Sequence, residues 1–254
     1  MRIKAIKTRV IHPPKDNLPE ALSKPIKKLP ENSIVIITSK VVSIWEGRCI
    51  HKSKVKSKKD LVKKEADLYS KKEVVKGLRY MPVIKNNLFV GSAGIDESNA
   101  NDYYILWPED AWKSARKLYD WIRKKYSVKK VGVIITDSHI APFRRGTSAV
   151  ALAFYGFKPF LEYTGTKDLF GRKFKVSKLN IPDSLANAAH VLMGEGTERT
   201  PAALVTDLPE YIKFTNKPYK PGKRFESFEI PLEEDLYFSL IKGIPWEKGG
   251  GGKE

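Results

Sequence analysis

Uninterrupted runs of apolar, largely β-branched residues mark the predicted strands of this chain. Residues 34–38 (IVIIT) and 131–136 (VGVIIT) are such runs, and the lack of polar alternation indicates buried strands. Residues 2–7 alternate roughly between basic and apolar side chains, which is consistent with an edge strand. Further strands are predicted near 149–153 and over 202–206.

The clearest helix is predicted over residues 109–126. Its apolar residues follow the 4-3-4 spacing of a single helix face, at Ala111, Ala115, Leu118 and Ile122. Other helices are predicted over 182–192 and around 18–28, the latter among several prolines. The Gly-rich residues 248–254 predict a flexible tail that follows one folded domain over 1–247.

Composition narrows the class of protein without naming its ligand. The 254 residues include 47 Lys or Arg and 29 Asp or Glu, a net charge of +18 that attracts phosphates, carboxylates or nucleic acid alike. A chain of this length buries a sizeable core without disulfides. Cys49 is the one cysteine, which excludes an intramolecular disulfide and a cysteine-based zinc site. Short apolar runs exclude a membrane span, so we expect a cytoplasmic protein with no membrane partner.

Residues 52–79 are the most basic part of the chain. They contain eleven Lys or Arg against four acidic residues, and their apolar positions predict a solvated pair of helices. A docking face for an acidic substrate or for RNA is the alternative interpretation. Nucleic-acid binding is the less favoured one, because only Tyr69 supplies an aromatic ring before the end of the run and no nucleic-acid motif is present.

Three acidic residues are candidates for chemistry. Asp96 lies in GSAGIDESN, Asp137 closes the apolar strand VGVIIT, and Glu195 stands between glycines in MGEGTERTP. Ligands often bind at strand ends in α/β sheets, although an acidic residue after a strand can also be a helix cap or turn former. Carboxylates without His or Cys partners favour Mg²⁺ or Mn²⁺, metals that are commonly shared with substrate phosphates.

Phosphates would in turn need cations and backbone N–H groups. Arg144, Arg145 and the segment 167–172 (KDLFGR) could supply them. Neither a P-loop nor a G-x-G-x-x-G motif is present, so a nucleotide would bind outside the standard loops. His139 beside Ser138 is not a convincing catalytic dyad, since neighbouring residues on a strand point to opposite faces.

Taken together, five segments resemble one enzyme family. They are SKVVSIWEGR (39–48), SAGIDESN (92–99), VGVIITDS (131–138), KDLFGR (167–172) and LMGEG (192–196). In this order they resemble the coenzyme F-420-0:L-glutamate γ-ligases, and the likeness covers most of residues 1–207.

The resemblance implies an α+β fold of an unusual kind, with mixed sheets and packed helices, in a homodimer. The domain over 1–247 could then consist of two intertwined subdomains. The implied reaction adds L-glutamate to a phosphorylated deazaflavin acceptor, using a nucleoside triphosphate (GTP or ATP) and Mg²⁺ or Mn²⁺. Relatives that extend folate with glutamate make folate an alternative acceptor.

Site residues follow from the same resemblance. The implied metal ligands are Asp96, Asp137 and Ser138, and Arg144 joins the two aspartates as a catalytic residue. The implied nucleotide contacts are Arg9, Val10, Ile11, His12, Ser39, Lys40, Asn99, Gly194, Glu195 and Gly196.

The chain departs from the family pattern at two places. Ile44 stands where the family commonly has a nucleotide-binding Lys. After the strand that ends at Asp137, the family's Gly and first Arg are replaced by Ile140 and Ala141, and only Arg144 is kept. These changes leave the acceptor and the nucleotide open, and a relative that binds a nucleotide without catalysis is a further alternative.

Overall fold

A computed structural model describes residues 1–71, 81–219 and 228–252 of the chain. The helices are Leu18–Ser23 (α1), Ser39–Glu46 (α2), Lys58–Glu65 (α3), Ala111–Tyr126 (α4), Ile181–Met193 (α5) and Phe238–Ile241 (α6). The strands are Arg2–Ile6 (β1), Ser33–Thr38 (β2), Cys49–His51 (β3), Leu68–Ser70 (β4), Pro82–Lys85 (β5), Leu88–Gly91 (β6), Tyr103–Ile105 (β7), Val131–His139 (β8), Ser148–Tyr155 (β9), Phe160–Glu162 (β10), Lys178–Asn180 (β11), Ala202–Thr206 (β12) and Trp246–Lys248 (β13).

A five-stranded sheet in the order β1-β12-β2-β8-β9 forms the centre of the molecule. The pair β2–β8 is parallel and the other neighbours are antiparallel, so the sheet is mixed. The five strands predicted from the sequence are the five strands of this sheet, and β1 lies at its edge as predicted. The expected α+β class with mixed sheets is confirmed.

Helices cover both faces of this sheet, which explains the unbroken apolar runs in β2 and β8. Ile34 and Ile36 pack in the cluster that contains the buried face of α5. Val35 and Ile37 pack on the opposite face, with residues of α1, α2 and α4. Strands buried on both faces have nearly continuous apolar sequences instead of alternating ones.

Helix α4 confirms the strongest helix prediction and begins at Ala111. The side chain of Asp110 accepts a hydrogen bond from the backbone N–H of Lys113, which caps the first turn. Ala115, Leu118 and Ile122 are buried on the face that the spacing predicted.

A second, four-stranded antiparallel sheet in the order β13-β4-β5-β6 packs with α3 around a separate apolar cluster. This small sheet corrects the prediction of two helices over residues 52–79. Helix α3 is followed directly by β4, because Leu68 and Tyr69 pair with β5 instead of continuing a helix. The part of this prediction that falls on residues 72–80 lies outside the described residues.

The Gly-rich end of the chain is also different from the expected flexible tail. Strand β13 pairs with β4, and the backbone N–H groups of residues 249–252 donate to carbonyls at the end of α3. A Cβ atom on Gly249 would lie 2.1 Å from the carbonyl oxygen of Ala66, so glycine permits this close approach. Residues 253–254 lie outside the described residues.

Within the three described ranges, no helix is long and apolar enough to cross a membrane.

Candidate active site

A cleft of about 380 Å³ opens where the parallel strands β2 and β8 end. This is the edge at which parallel strands commonly present ligand-binding residues. The residues named from the sequence that line it are Arg9, Val10, Ile11, Lys40, Asp96, Asn99, Asp137, Ser138, Gly194, Glu195 and Gly196. We call residues 136–138 of β8 the sheet wall and residues 96–99 the loop wall.

Three of the named residues do not line the cleft. Ser39 lies behind it, where its hydroxyl donates to Asp137. The backbone N–H of His12 donates to Asp16. Arg144 lies in the exposed loop that follows the end of β8 at His139, so the structure does not bring this expected catalytic residue to the cleft.

Asp137 on the sheet wall is held by two neutral donors. The Ser39 hydroxyl donates to its Oδ1 at 2.8 Å, and the Trp107 indole N–H donates to its Oδ2 at 2.6 Å. Burial raises the pKa of this carboxyl to about 6, although both hydrogen bonds oppose the rise. The negative charge of Asp96 raises this pKa further. No basic side chain of the described residues forms an ion pair with Asp137.

Asp96 on the loop wall has a cationic partner. The ammonium group of Lys40 lies 2.7 Å from its Oδ2, and the backbone N–H and hydroxyl of Ser98 donate to its Oδ1 at 2.7 and 2.8 Å. Burial tends to raise the pKa of this carboxyl, but Lys40 and Ser98 together hold it below the ordinary value. Lys40 therefore connects α2 to the loop wall.

Glu195 closes the cleft from the segment after α5. Its Oε1 accepts from the Ser138 hydroxyl at 2.5 Å and lies 2.8 Å from Nε2 of His190. The Asn99 amide donates to the carbonyl of Gly196 at 3.0 Å, so the same segment also touches the loop wall. The two walls and the closing segment are thus joined by direct hydrogen bonds.

The cations suggested for phosphate binding are distributed differently from the prediction. Arg145, Lys167 and Arg172 are exposed and do not line the cleft. Arg199 does line it, and no carboxylate of the described part of the chain forms an ion pair with it. The sequence reasoning did not assign Arg199, although it lies in the quoted segment MGEGTERTP, three residues after Gly196.

Arg9 also lines the cleft, and Asp16 fixes its guanidinium group. Two parallel hydrogen bonds of 2.6 and 2.7 Å join the two side chains. This pairing is the main reason why the pKa of the Asp16 carboxyl lies well below its usual range. A bidentate pair of this kind gives the guanidinium a defined orientation.

Ile44 presents an apolar surface to the cleft, at the position where the resemblance leads us to expect a cation. It is 2% exposed, lies one helical turn after Lys40 on α2 and lines the cleft. Val10, Ile11, Val41 and Met193 continue this apolar lining. This part of the cleft is therefore apolar and closely packed.

The donor set of the cleft fits a hard divalent cation. Asp137 is a carboxyl without a cationic partner among the described residues, and it lines the same cleft as Asp96. Together with the Ser138 hydroxyl they offer oxygen ligands only, which suits Mg²⁺ or Mn²⁺. Elsewhere in the described ranges too, no three His, Cys, Asp or Glu side chains converge, so water and substrate phosphate would complete the coordination.

Comparisons with known proteins agree with the resemblance. A sequence model of the F420-0:Gamma-glutamyl ligase family matches residues 5–207. The coenzyme F420:L-glutamate ligase of Methanocaldococcus jannaschii is 33% identical over 220 residues, which cover 82% of this chain and 85% of the relative. The protein of the same name from Methanosarcina barkeri is 32% identical over 223 residues, 81% of this chain and 86% of the relative. The chain therefore belongs to the F420-0:gamma-glutamyl ligase family.

Proposed function

We propose that this protein is a metal- and nucleoside-triphosphate-dependent γ-glutamyl ligase that adds L-glutamate to the deazaflavin coenzyme F420-0. The names of the relatives support this acceptor. Folate is the alternative acceptor, because Ile140 and Ala141 change the loop that follows the sheet wall. Mg²⁺ or Mn²⁺ and GTP or ATP are the proposed cofactor and co-substrate.

The observation that carries the proposal is the presence of two carboxylates, Asp137 and Asp96, and two cationic side chains in one cleft. Lys40 holds Asp96, while Arg199 reaches the cleft without a carboxylate partner among the described residues. Carboxylates that share a cation with phosphates, next to an available guanidinium, provide the charge neutralisation that phosphoryl transfer requires.

The first proposed step activates the acceptor. An oxygen of the acceptor carboxylate attacks the γ-phosphorus of the triphosphate, the bond to the bridging oxygen breaks, and the products are an acyl phosphate and a nucleoside diphosphate. Arg199 pairs with phosphate oxygens, and the Arg9 guanidinium, oriented by Asp16, faces the same cleft. Asp96, Asp137 and Ser138 would hold the divalent cation, which supplies neutralisation of phosphate charge when bound.

The second proposed step forms the amide. The neutral amine of L-glutamate attacks the acyl carbon, phosphate leaves with the electrons of the C–O bond, and the amine releases a proton. Glu195 is placed to accept that proton or to bind the ammonium group, because its carboxylate lies at the cleft between Ser138 and His190. Proton transfer of this kind needs a base within hydrogen-bond reach.

We also propose that the active form is a homodimer. Leu169 and Phe170 lie in the long loop that joins the paired strands β10 and β11. Their side chains are 98% and 95% exposed in the single chain. Adjacent, fully exposed apolar side chains are typical of surfaces that are covered in an assembly. Size-exclusion chromatography with light scattering gives the mass of the protein in solution. A monomer at assay concentration would contradict this part of the proposal.

The function is tested by mass spectrometry of the acceptor. The protein is incubated with L-glutamate, Mg²⁺ or Mn²⁺, GTP or ATP, and either F420-0 or a folate. We expect a mass increase of one or more glutamyl units on F420-0. With an ¹⁸O-labelled acceptor carboxylate, one label should appear in inorganic phosphate, as an acyl phosphate requires. Addition of glutamyl units to folate alone would assign the alternative acceptor. A mass increase on neither acceptor would contradict the ligase proposal.

A further inference from the structure

Trp107 donates from behind the cleft to the carboxylate on the sheet wall. It is 3% exposed, and its indole N–H lies 2.6 Å from Oδ2 of Asp137. The Ser39 hydroxyl occupies the other oxygen at 2.8 Å. A carboxylate with one fixed donor on each oxygen cannot rotate freely about its Cβ–Cγ bond, so its plane is set before any ligand arrives.

The indole is itself fixed by residues in the small sheet and next to it. Gly94 lies against the ring, and a Cβ atom at that position would come within 2.0 Å of the indole nitrogen. The ammonium group of Lys85 lies 5.9 Å from the ring centroid, and the Nε of Arg48 donates to the Trp107 carbonyl at 3.3 Å. Trp107 therefore has little freedom to move away from Asp137.

A buried ion cluster fixes these supporting cations in turn. Glu65 pairs with Arg48 at 2.9 Å and with Lys85 at 2.6 Å, and both Glu65 and Lys85 are buried. Removing Glu65 would leave the buried ammonium group of Lys85 without its carboxylate partner, which is strongly unfavourable. The cluster thus links α3 and β5 of the small sheet to the ring that touches Asp137.

We propose that Trp107 is a positioning residue, which orients the Asp137 carboxylate for the divalent cation of the proposed ligase reaction. The inference rests on that proposed function and deepens it. Trp107 does not line the cleft, so it would act through Asp137 and without touching substrate. Partners that orient metal ligands from outside the coordination sphere commonly contribute 10- to 100-fold to metal affinity.

Trp112 provides a matched control. Both tryptophans line a second cavity of about 660 Å³, and the Trp112 indole N–H donates to Oε1 of Glu229 at 3.2 Å. Trp112 thus makes the same kind of bond to a carboxylate, but that carboxylate does not line the cleft. If losing any indole N–H weakened metal binding, substitutions of Trp107 and of Trp112 would weaken it equally.

The experiment measures Mn²⁺ binding to the protein without nucleotide, from the electron paramagnetic resonance signal of free aqueous Mn²⁺. We expect Trp107→Phe to weaken binding about tenfold and Trp112→Phe to leave it unchanged. A second variant replaces Trp107 by its benzothienyl analogue, which keeps the ring shape and puts sulfur in place of N–H. This analogue should also weaken Mn²⁺ binding about tenfold. Because it preserves the packing of the ring, it tests the inference even if the phenylalanine variant folds poorly.

Asp137→Asn distinguishes failure of the proposed metal site from failure of the positioning role of Trp107. If this variant loses Mn²⁺ binding while the benzothienyl variant binds like the wild type, Trp107 has no positioning role and the metal site stands. If Asp137→Asn binds Mn²⁺ like the wild type, or the wild type binds none, the metal assignment itself is wrong and the inference falls with it. Equal weakening in the Trp107 and Trp112 variants would also overturn the inference.

Discussion

The two walls of the cleft present the same side chain in opposite electrostatic settings. On the loop wall, Asp96 is paired with the ammonium group of Lys40, which keeps the pKa of its carboxyl low. On the sheet wall, burial raises the pKa of Asp137 to about 6, and its donors Ser39 and Trp107 are neutral. One aspartate has its cation in the protein, and the other lacks one among the described residues.

This difference indicates which wall depends on a ligand. A partly buried carboxylate without a cation costs folding free energy, and such a cost is typical of sites whose partner arrives from solution. The loop wall is already neutralised and can hold its shape alone. The sheet wall therefore should respond most strongly, in both activity and stability, when its carboxylate is removed.

Asp137→Asn is the largest expected effect. The amide cannot supply the negative charge that would hold the proposed cation, and loss of several kcal/mol of charge stabilisation should lower turnover about a thousandfold. Glutamyl transfer to F420-0 is measured at saturating Mn²⁺. Asp120→Asn, an exposed change on α4, is the control and should leave turnover unchanged. Activity of Asp137→Asn within about tenfold of the wild type would refute the role given to Asp137.

The sheet wall was predictable because its signals are local. The run VGVIIT is short and rich in β-branched residues, which is typical of a buried strand, and Asp137 is the first charged residue after it. Strands β2 and β8 pair in parallel, with Thr38 opposite Thr136 at the end of the shared ladder, so both strands leave this pairing at the same edge of the sheet. The cleft forms at that edge.

The rest of the site depends on contacts between distant segments. The donor Trp107 looks like any core tryptophan in the sequence, and its bond to Asp137 spans 30 residues. Arg144 stands near Asp137 along the chain, yet β8 continues to His139 and the loop carries it away from the cleft. The glycines at 249–252 are typical of a flexible tail, and only their contact with α3 gives them a structural role.

Gly94→Ala tests how tightly the ring behind the sheet wall is held by the short turn 92–94 that follows β6. The new Cβ would lie 2.0 Å from the Trp107 indole nitrogen, at a residue with φ of +67°. Strain at positive φ and overpacking together predict a loss of about 3 kcal/mol in unfolding free energy, measured in urea. Gly165→Ala has the same backbone strain (φ +85°) with no atom within 4 Å, so it should lose only about 1 kcal/mol. Equal losses would mean that the ring moves aside freely.

Stability against pH should change in opposite directions at the two walls. Because the pKa of Asp137 is raised, its ionisation destabilises the metal-free fold as pH rises from about 4 to 6, and the penalty persists above 6. Asp137→Asn should therefore gain about 2 kcal/mol at pH 8, and the gain should vanish by about pH 4. Asp96 has a lowered pKa, so its ionised form stabilises the fold above about pH 4 and this contribution is lost at lower pH.

Asp96→Asn should consequently be less stable than the wild type at pH 8, with a gap that narrows on acidification. Both variants are unfolded in urea at several pH values, with EDTA present to remove metal. Destabilisation of both variants at pH 8 would contradict the contrast between the two walls.

Gly250→Ala should have the smallest effect and should act on the loop wall. The new Cβ would lie 2.5 Å from the carbonyl oxygen of Lys64 in α3. Lys58, at the opposite end of this eight-residue helix, donates to Glu97 beside Asp96. Loosening the whole of α3 should therefore loosen residues 96–99 and leave the sheet wall unchanged. The terminal segment can detach without global unfolding, which limits the cost to about 1 kcal/mol.

Hydrogen exchange measures this effect, and it should accelerate in α3 and over 96–99 but not in β8. Gly243→Ala, whose Cβ has ordinary contacts 3.7 Å away, should change neither region. Faster exchange in β8 would show that the two walls are not supported separately.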